Sequence, residues 1–327
     1  MTLGVTIGKF FPFHLGHDLL VREAKARCDR LVVLVGWKPG QALPGELRAA
    51  WIRELHPDVE VLLVLEDVPD APEPWARRTI EVVGEALGGR RPDVAFTSEP
   101  YGEPWAAAMG CRHEAIDVAR ARVPASGTAL REDLGRHWEL LTSPAKAHFA
   151  RRVVVLGVES SGTTTLATAL AERLRTVCVP EVGRAWWEAR RHLAAPWTEA
   201  DFLAIARSQA ALEDDLARLA NRVLICDTDP LATTVWHRRY LGCRSASLEA
   251  VAATRTADLH LLTAPDFPFV QDGTREDGPH RAEMHGWFKD ALAGRPYLEL
   301  TGSPRARLAA ALAAIEPLLR WEPLQAP

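Results

Sequence analysis

Twice in this chain a short β-branched run ends on a glycine and opens, within a few residues, onto a stretch of helical spacing. Leu3–Ile7 runs into Gly8, and Val153–Leu156 runs into Gly157. Further strands are predicted at Leu31–Gly36, Val59–Leu65 and Asp93–Thr97, alternating with helices over Leu15–Cys28, Gly45–Leu55 and Pro74–Leu87. After the second glycine come strands at Val223–Cys226 and Ala257–Leu262, and helices over Thr198–Ala220, Ser247–Arg255, Arg281–Ala293 and Pro304–Leu319. Strands that alternate with helices predict a parallel, doubly wound sheet in each half. A chain of 327 residues also exceeds what one core usually organises, so two α/β domains are expected, residues 1–150 and 151–327. Pro39–Pro44 and Glu66–Pro74 read as loops suited to substrate contact, and Trp321–Pro327 as a loose tail.

Composition narrows the partners. The net charge of −4 gives no basic face for a polyanion, so neither nucleic acid nor a membrane surface is an expected partner. The five cysteines, Cys28, Cys111, Cys178, Cys226 and Cys243, contain no C-x-x-C pair, which fits a reducing cytoplasm better than a disulfide framework or a zinc site. No uninterrupted apolar stretch approaches the roughly 20 residues that span a bilayer, and no targeting leader is read. A homo-oligomer is left open.

The first glycine begins the string Gly8-Lys9-Phe10-Phe11-Pro12-Phe13-His14-Leu15-Gly16-His17. A turn between a first strand and a helix start presents free backbone N–H groups and a positive dipole end, both of which favour phosphate. His14 and His17, with Gly16 allowing close backbone approach, can then donate to phosphate oxygens. The string resembles the signature G-x-[FY]-x-P-x-H-x-G-H of the adenylyltransferase superfamily, whose chemistry is in-line attack of one phosphate on the α-phosphorus of a nucleotide. A second signature of that superfamily is matched at Val123–Arg131, where Ser126 and Thr128 offer hydroxyls at a helix start and Arg131 lies one turn further on to clamp the β- and γ-phosphates. Alone, S-x-T-x-x-R is an ordinary helix cap; behind the first string it is the expected partner. Catalysis by His14, His17, Lys9 and Arg131 would rest on positioning and charge stabilisation, with Gly8, Phe10 and Gly16 shaping the phosphate turn and Mg²⁺ on the triphosphate of ATP. Trp37, Trp75 and Trp105 lie in or near predicted loops, and Trp75 is the candidate for stacking on a substrate ring, although tryptophan is more often simply buried.

The second glycine begins Gly157-Val158-Glu159-Ser160-Ser161-Gly162-Thr163-Thr164-Thr165, the layout of a P-loop, G-x-x-x-x-G-K-[ST]. Its backbone amides are expected to cradle phosphates, and Thr164 to supply the hydroxyl to Mg²⁺. Thr163 stands where the lysine belongs, so the cation that reaches the β- and γ-phosphates is missing; losing such a contact often costs on the order of 10²-fold in rate. Val223–Asp229 is Walker B-like, with Asp227 expected to hold Mg²⁺ through water or act as base. Phe269–Arg275 reads as a lid, and Arg275 and Arg281 are the candidate replacement cations.

Taken together, the chain resembles the NadR family, nicotinamide-mononucleotide adenylyltransferase fused to ribosylnicotinamide kinase. The resemblance runs from Gly4 to about Ile315, through the two strings above, the Thr97-Ser98-Glu99 strand end, Trp138, Pro180–Arg184, Asp227-Thr228-Asp229 and Asp272–Arg275. It implies a Rossmann-like nucleotidyltransferase domain followed by a P-loop kinase-like domain. It further implies that the first half transfers AMP from ATP to nicotinamide mononucleotide, giving NAD and pyrophosphate, and that the second phosphorylates nicotinamide riboside. Glu181, Arg184 and Asp229 match family positions near the kinase substrate, although Glu181 and Arg184 would equally suit a structural ion pair. Some members begin with a helix-turn-helix that binds operator DNA; here the first strand starts at residue 3, so a repressor role by that route is not expected. Two alternatives stand beside this: a second half that senses nucleotide without catalysis, and a different phosphate acceptor, such as a phosphopantetheine.

Overall fold

A computed structural model describes residues 1–192, 195–266 and 279–325. The chain divides into two compact units, Met1–Ala145 with the described part of Trp321–Pro327, and Lys146–Arg320. Each is an α/β unit on its own five-stranded sheet with all strand pairs parallel.

The first unit contains β1 (Leu3–Gly8), β2 (Arg30–Trp37), β3 (Glu60–Leu65), β4 (Val94–Thr97) and β5 (Arg112–Ala115), in the order β3-β2-β1-β4-β5. The register sets Leu3 against Arg30 on one side of β1 and Gly4 against Val94 on the other. Winding therefore reverses at β1, and the crevice outside the carboxyl ends of β1 and β4 is where such sheets take ligands. Val32, Val33, Leu34 and Val35 are all fully buried, as a strand covered on both faces requires. Leu3, Val5, Val64 and Ala95 pack with Val83 and Trp105 from the covering helices.

In the second unit β6 (Arg151–Gly157), β7 (Cys178–Val179), β8 (Val223–Asp227), β9 (Leu259–Thr263) and β10 (Tyr297–Leu300) lie in the order β10-β9-β6-β8-β7. Val153, Val155, Ile225 and Leu261 meet Leu166 and Leu170 of the helix Thr163–Leu174 in its core.

The alternating pattern located the inner strands of both sheets. The edge strands β5, β7 and β10 carry too few β-branched residues to show in the sequence; Arg-His-Glu-Ala of β5 is only half-covered. The expected loose tail instead returns to the first unit, where Trp321 lies against Trp138 with ring centroids 5.5 Å apart and Leu324 N donates to Arg131 O at 2.9 Å. Among the described residues no helix is long and apolar enough to cross a membrane.

Candidate active sites

β1 ends at Gly8, and the helix Leu15–Lys25 begins after His14. His14 is its N-cap: Nδ1 accepts from His17 N at 3.3 Å, while Nδ1 of His17 accepts from His14 N at 3.5 Å. This is a capping box in which two imidazoles replace the usual hydroxyl and carboxylate. With both Nδ1 atoms accepting, the remaining proton of each neutral ring sits on Nε2. The rings stack with centroids 3.6 Å apart and 14° between planes. Burial, followed by the charge of Arg120, lowers the pKa of His14 to about 3; burial and neighbouring His14 hold His17 well below its usual range. Both are therefore neutral N–H donors at physiological pH. Gly16 packs closely beneath them, and a Cβ there would come within 3.1 Å of the His14 ring. Phe10 takes a left-handed backbone with φ of 49°, a conformation rare for an aromatic residue and often concentrated at functional turns.

The second signature folds onto the first. Arg131 donates to Phe11 O at 3.1 Å and to Thr128 Oγ1 at 3.0 Å, and Ser126 Oγ accepts from Ala129 N at 3.5 Å as cap of the short helix Gly127–Glu132. Gly8, Lys9, Phe10 and His14 line a cleft of about 660 Å³, joined by Gly16 and His17, and by Ser126, Thr128 and Arg131 from the second signature. Trp75 lines the same cleft, but from the helix Pro72–Ala86 rather than from a loop. Trp105 is within the helix Gly102–Met109 and 1 % exposed, so it is a core residue before anything else.

The lowered histidine values set a pH dependence for stability. Between pH 6.5 and about 3 the unfolded chain binds a proton at His14 that the folded chain refuses, so stability falls as pH drops through that window, by about 1.4 kcal/mol per pH unit for this group. Asparagine caps helices without titrating. His14→Asn is expected to remove one proton from the slope of thermal stability against pH below 6.5; an unchanged slope would show that the folded ring takes up a proton.

In the second unit the P-loop turns tightly at Ser160, with φ of 57°, and at Gly162, with φ of 85°, before the helix opens at Thr163. Gly157, Ser160 and Gly162, followed by Thr163, Thr164 and Thr165, line a cavity of about 200 Å³. The Ser161 side chain donates to Val158 O at 2.6 Å and lies 2.7 Å from Thr263 Oγ1, which leaves its backbone amide as the group it could offer a phosphate. Arg307, 2 % exposed, fixes the loop from beneath, donating to Ser161 O at 2.7 Å and Ala264 O at 2.9 Å.

Asp227 lies at the end of β8; burial raises its pKa, against the pull of the Thr164 hydroxyl, Arg184 and the Thr163 hydroxyl. Glu181 lines the same cavity and is pushed up to about 7, first by burial and then by the charge of Asp227. Arg184 lines it as well. Asp229 does not: Oδ1 caps the helix Pro230–Leu241 through Ala232 N at 2.8 Å, and Oδ2 lies 3.5 Å from His260 Nε2. An aspartate two residues beyond a strand is well placed to cap the helix that follows, and that demand has taken it. Arg281 interacts with Glu159 of the P-loop, while Arg275 lies outside the described residues.

A family model described as an AAA domain matches residues 152–307. The trifunctional NAD biosynthesis/regulator protein NadR of Escherichia coli (strain K12) is 28% identical over 302 residues, 85% of this chain and 72% of that protein. Its counterpart from Salmonella typhimurium is 26% identical over 299 residues, 84% and 72%. The crystal structure of a NadR protein in complex with NR has a TM-score of 0.75 at 20% identity, covering 100% of this chain and 98% of that one. A second, of a NadR protein with NAD and AMP-PNP, has a TM-score of 0.72 at 20% identity, covering 98% and 97%. Over most of its length the chain is similar to NadR proteins in sequence, and over nearly all of it in fold.

The two sites also contain residues that no motif in the sequence pointed to. Arg120, bonded to Glu99 Oε1 at 2.8 Å, helps keep the histidine pair neutral. Trp187, Trp197, Phe202, Trp236 and Tyr240 wall the second cavity from separate segments, with Trp197 5.3 Å from Phe202 and 5.8 Å from Tyr240. The abundance of tryptophan was the only signal for these walls, and it did not say which would converge. The likeness supports a nucleotide-metabolising enzyme.

Proposed function

We propose that the protein makes NAD: the first cleft joins the AMP portion of ATP to nicotinamide mononucleotide, and the second phosphorylates nicotinamide riboside to supply that acceptor. The observation that carries the reading is the pair of neutral, Nε2-protonated histidines at a helix start facing the same cleft as Arg131. In the reaction a phosphate oxygen of the mononucleotide attacks the α-phosphorus of ATP, the bond to the β-phosphate oxygen breaks, and pyrophosphate leaves with the electron pair. His14 and His17 donate hydrogen bonds to phosphate oxygens as charge builds there and, being neutral, do so without losing their protons. Arg131, aimed by Phe11 O and Thr128, holds the departing phosphates.

In the second cavity, aromatic walls beside Glu181 and Asp227 suit a cationic pyridinium riboside, since both ring faces and carboxylates attract positive charge. Glu181, balanced near pH 7, is suited to take a proton from the riboside hydroxyl. The oxygen donors of Thr164 and Asp227 fit a hard divalent cation, and Mg²⁺ bound there would neutralise charge on the triphosphate. The NadR structures holding NR, NAD and AMP-PNP support ligands of this class. Thr163 favours a second reading, in which this half binds nucleotide as a sensor without transferring phosphate.

Mass spectrometry of products from Mg²⁺-ATP with nicotinamide mononucleotide, and separately with nicotinamide riboside, tests both halves. NAD in both tubes is the expected result. NAD from the mononucleotide alone would leave the second half a sensor, and NAD in neither would overturn the reading.

A further inference from the structure

The carboxyl ends of β1, β2 and β3 bring Lys9 together with two charged side chains, Lys38 and Glu66, that have no part in the site described above. Glu66, immediately after β3, has a side chain only 6 % exposed. Its Oε2 lies 3.7 Å from Lys9 Nζ and 3.5 Å from Lys38 Nζ, and both lysine side chains remain about half exposed, at 50% and 51%. All three residues line the first cleft. Glu66 Oε1 is buried without a hydrogen-bond partner, packed so closely over Gly36 that a Cβ there would come within 2.8 Å.

The cluster sits on a rigid base. Arg48, fully buried, donates to Gly36 O at 2.8 Å, Leu43 O at 3.0 Å and Gln41 Oε1 at 2.6 Å, and also to Lys9 O. Gln41 Oε1 accepts from Lys38 N at 3.0 Å as well. One buried guanidinium thus ties the turn after β1 to the turn after β2, which fixes where both lysines begin.

Half-exposed lysines contribute little to stability through such contacts, so the arrangement is poorly explained as a stabilising device. Lys9, Lys38 and Glu66 together carry one net positive charge, with the two lysines held close to one carboxylate against their own repulsion. That is a preorganised receptor for a dianionic phosphate. It lies at the β2–β3 side with Trp75, whereas Ser126, Thr128 and Arg131 reach the cleft from the chain beyond β5.

We propose that Lys38 is a second phosphate-binding cation of the first cleft, taking with Lys9 the phosphate of the mononucleotide acceptor, and that Glu66 is the positioning residue holding both lysines toward it. The proposal rests on the adenylyltransferase reading. Lys38 reaches the acceptor phosphate directly and sets its affinity; Glu66 acts through the lysines and sets how the attacking oxygen is aimed.

Steady-state adenylyl transfer by the full chain, varying nicotinamide mononucleotide and Mg²⁺-ATP in turn, separates these roles. Lys38→Met is expected to raise KM for the mononucleotide about 10- to 100-fold with KM for ATP within about twofold, the effect of losing one charge-assisted hydrogen bond. Lys38→Arg is expected to recover most of that loss. Glu66→Gln leaves both lysines present but unanchored, and is expected to lower kcat about tenfold without raising KM for the mononucleotide. An unchanged mononucleotide KM in Lys38→Met, or a rise in KM for ATP instead, would overturn the assignment even if Glu66→Gln fails to fold. A wild-type protein that makes no NAD from the mononucleotide would overturn the adenylyltransferase reading itself.

Discussion

His17→Gln is expected to lower kcat for adenylyl transfer by about 10²- to 10³-fold while the fold stays intact, the loss typical of removing one preorganised donor from a developing negative charge. Glutamine is the informative replacement because His17 does two things. Its Nδ1 accepts from His14 N as half of the capping box, and in the proposed reaction its Nε2–H donates to phosphate. A glutamine carbonyl can take over the first duty, since glutamine is a usual residue at that position of the box. It does not reproduce the stacked, buried imidazole that keeps the second donor in place. His17→Ala loses both: transfer should nearly vanish, and about 1 kcal/mol of capping with it, a fall in Tm of roughly 2–4 °C for a unit of this size. Wild-type turnover in the glutamine variant would remove His17 from the site. A large fall in Tm there would show that the cap, and not the chemistry, had been disturbed.

Thr163→Lys is expected to raise kcat/KM for riboside phosphorylation by about 10²-fold, measured by a coupled assay of ADP release with nicotinamide riboside. The gain comes from a charge delivered at the helix start, next to the amides proposed to cradle the β- and γ-phosphates. The loss is small, one of the two hydroxyls that favour the Asp227 carboxylate, with Thr164 remaining. A wild type that already turns over at the roughly 1–100 s⁻¹ of ordinary kinases, and gains nothing from the lysine, would show that another cation serves. Arg281, the described candidate, interacts with Glu159 of the same loop. No turnover in either protein would leave the second half as a sensor.

Both glycine turns from strand to helix were legible because their geometry is local. A glycine closing a buried strand, polar groups at set offsets and a helix start a few residues on are all encoded within about ten residues, and backbone sterics permit few other arrangements. The alternation of strand and helix gave the α/β class for the same reason, since buried parallel strands must be apolar along their whole length.

What lay beyond the sequence was every contact made across long separations or decided by competition for a partner. Asp229 stands at a motif position, yet the nearer claim of a helix start took its side chain. Lys38 and Glu66 look like solvated loop charges until β2 and β3 lie side by side, and Trp187, Trp197 and Trp236 look like scattered tryptophans until separate segments converge. A turn is selected by the conformations a few adjacent residues can adopt. The floor and walls of a cleft depend instead on which distant side chains the packed sheet forces together, and that is settled only when the whole core forms.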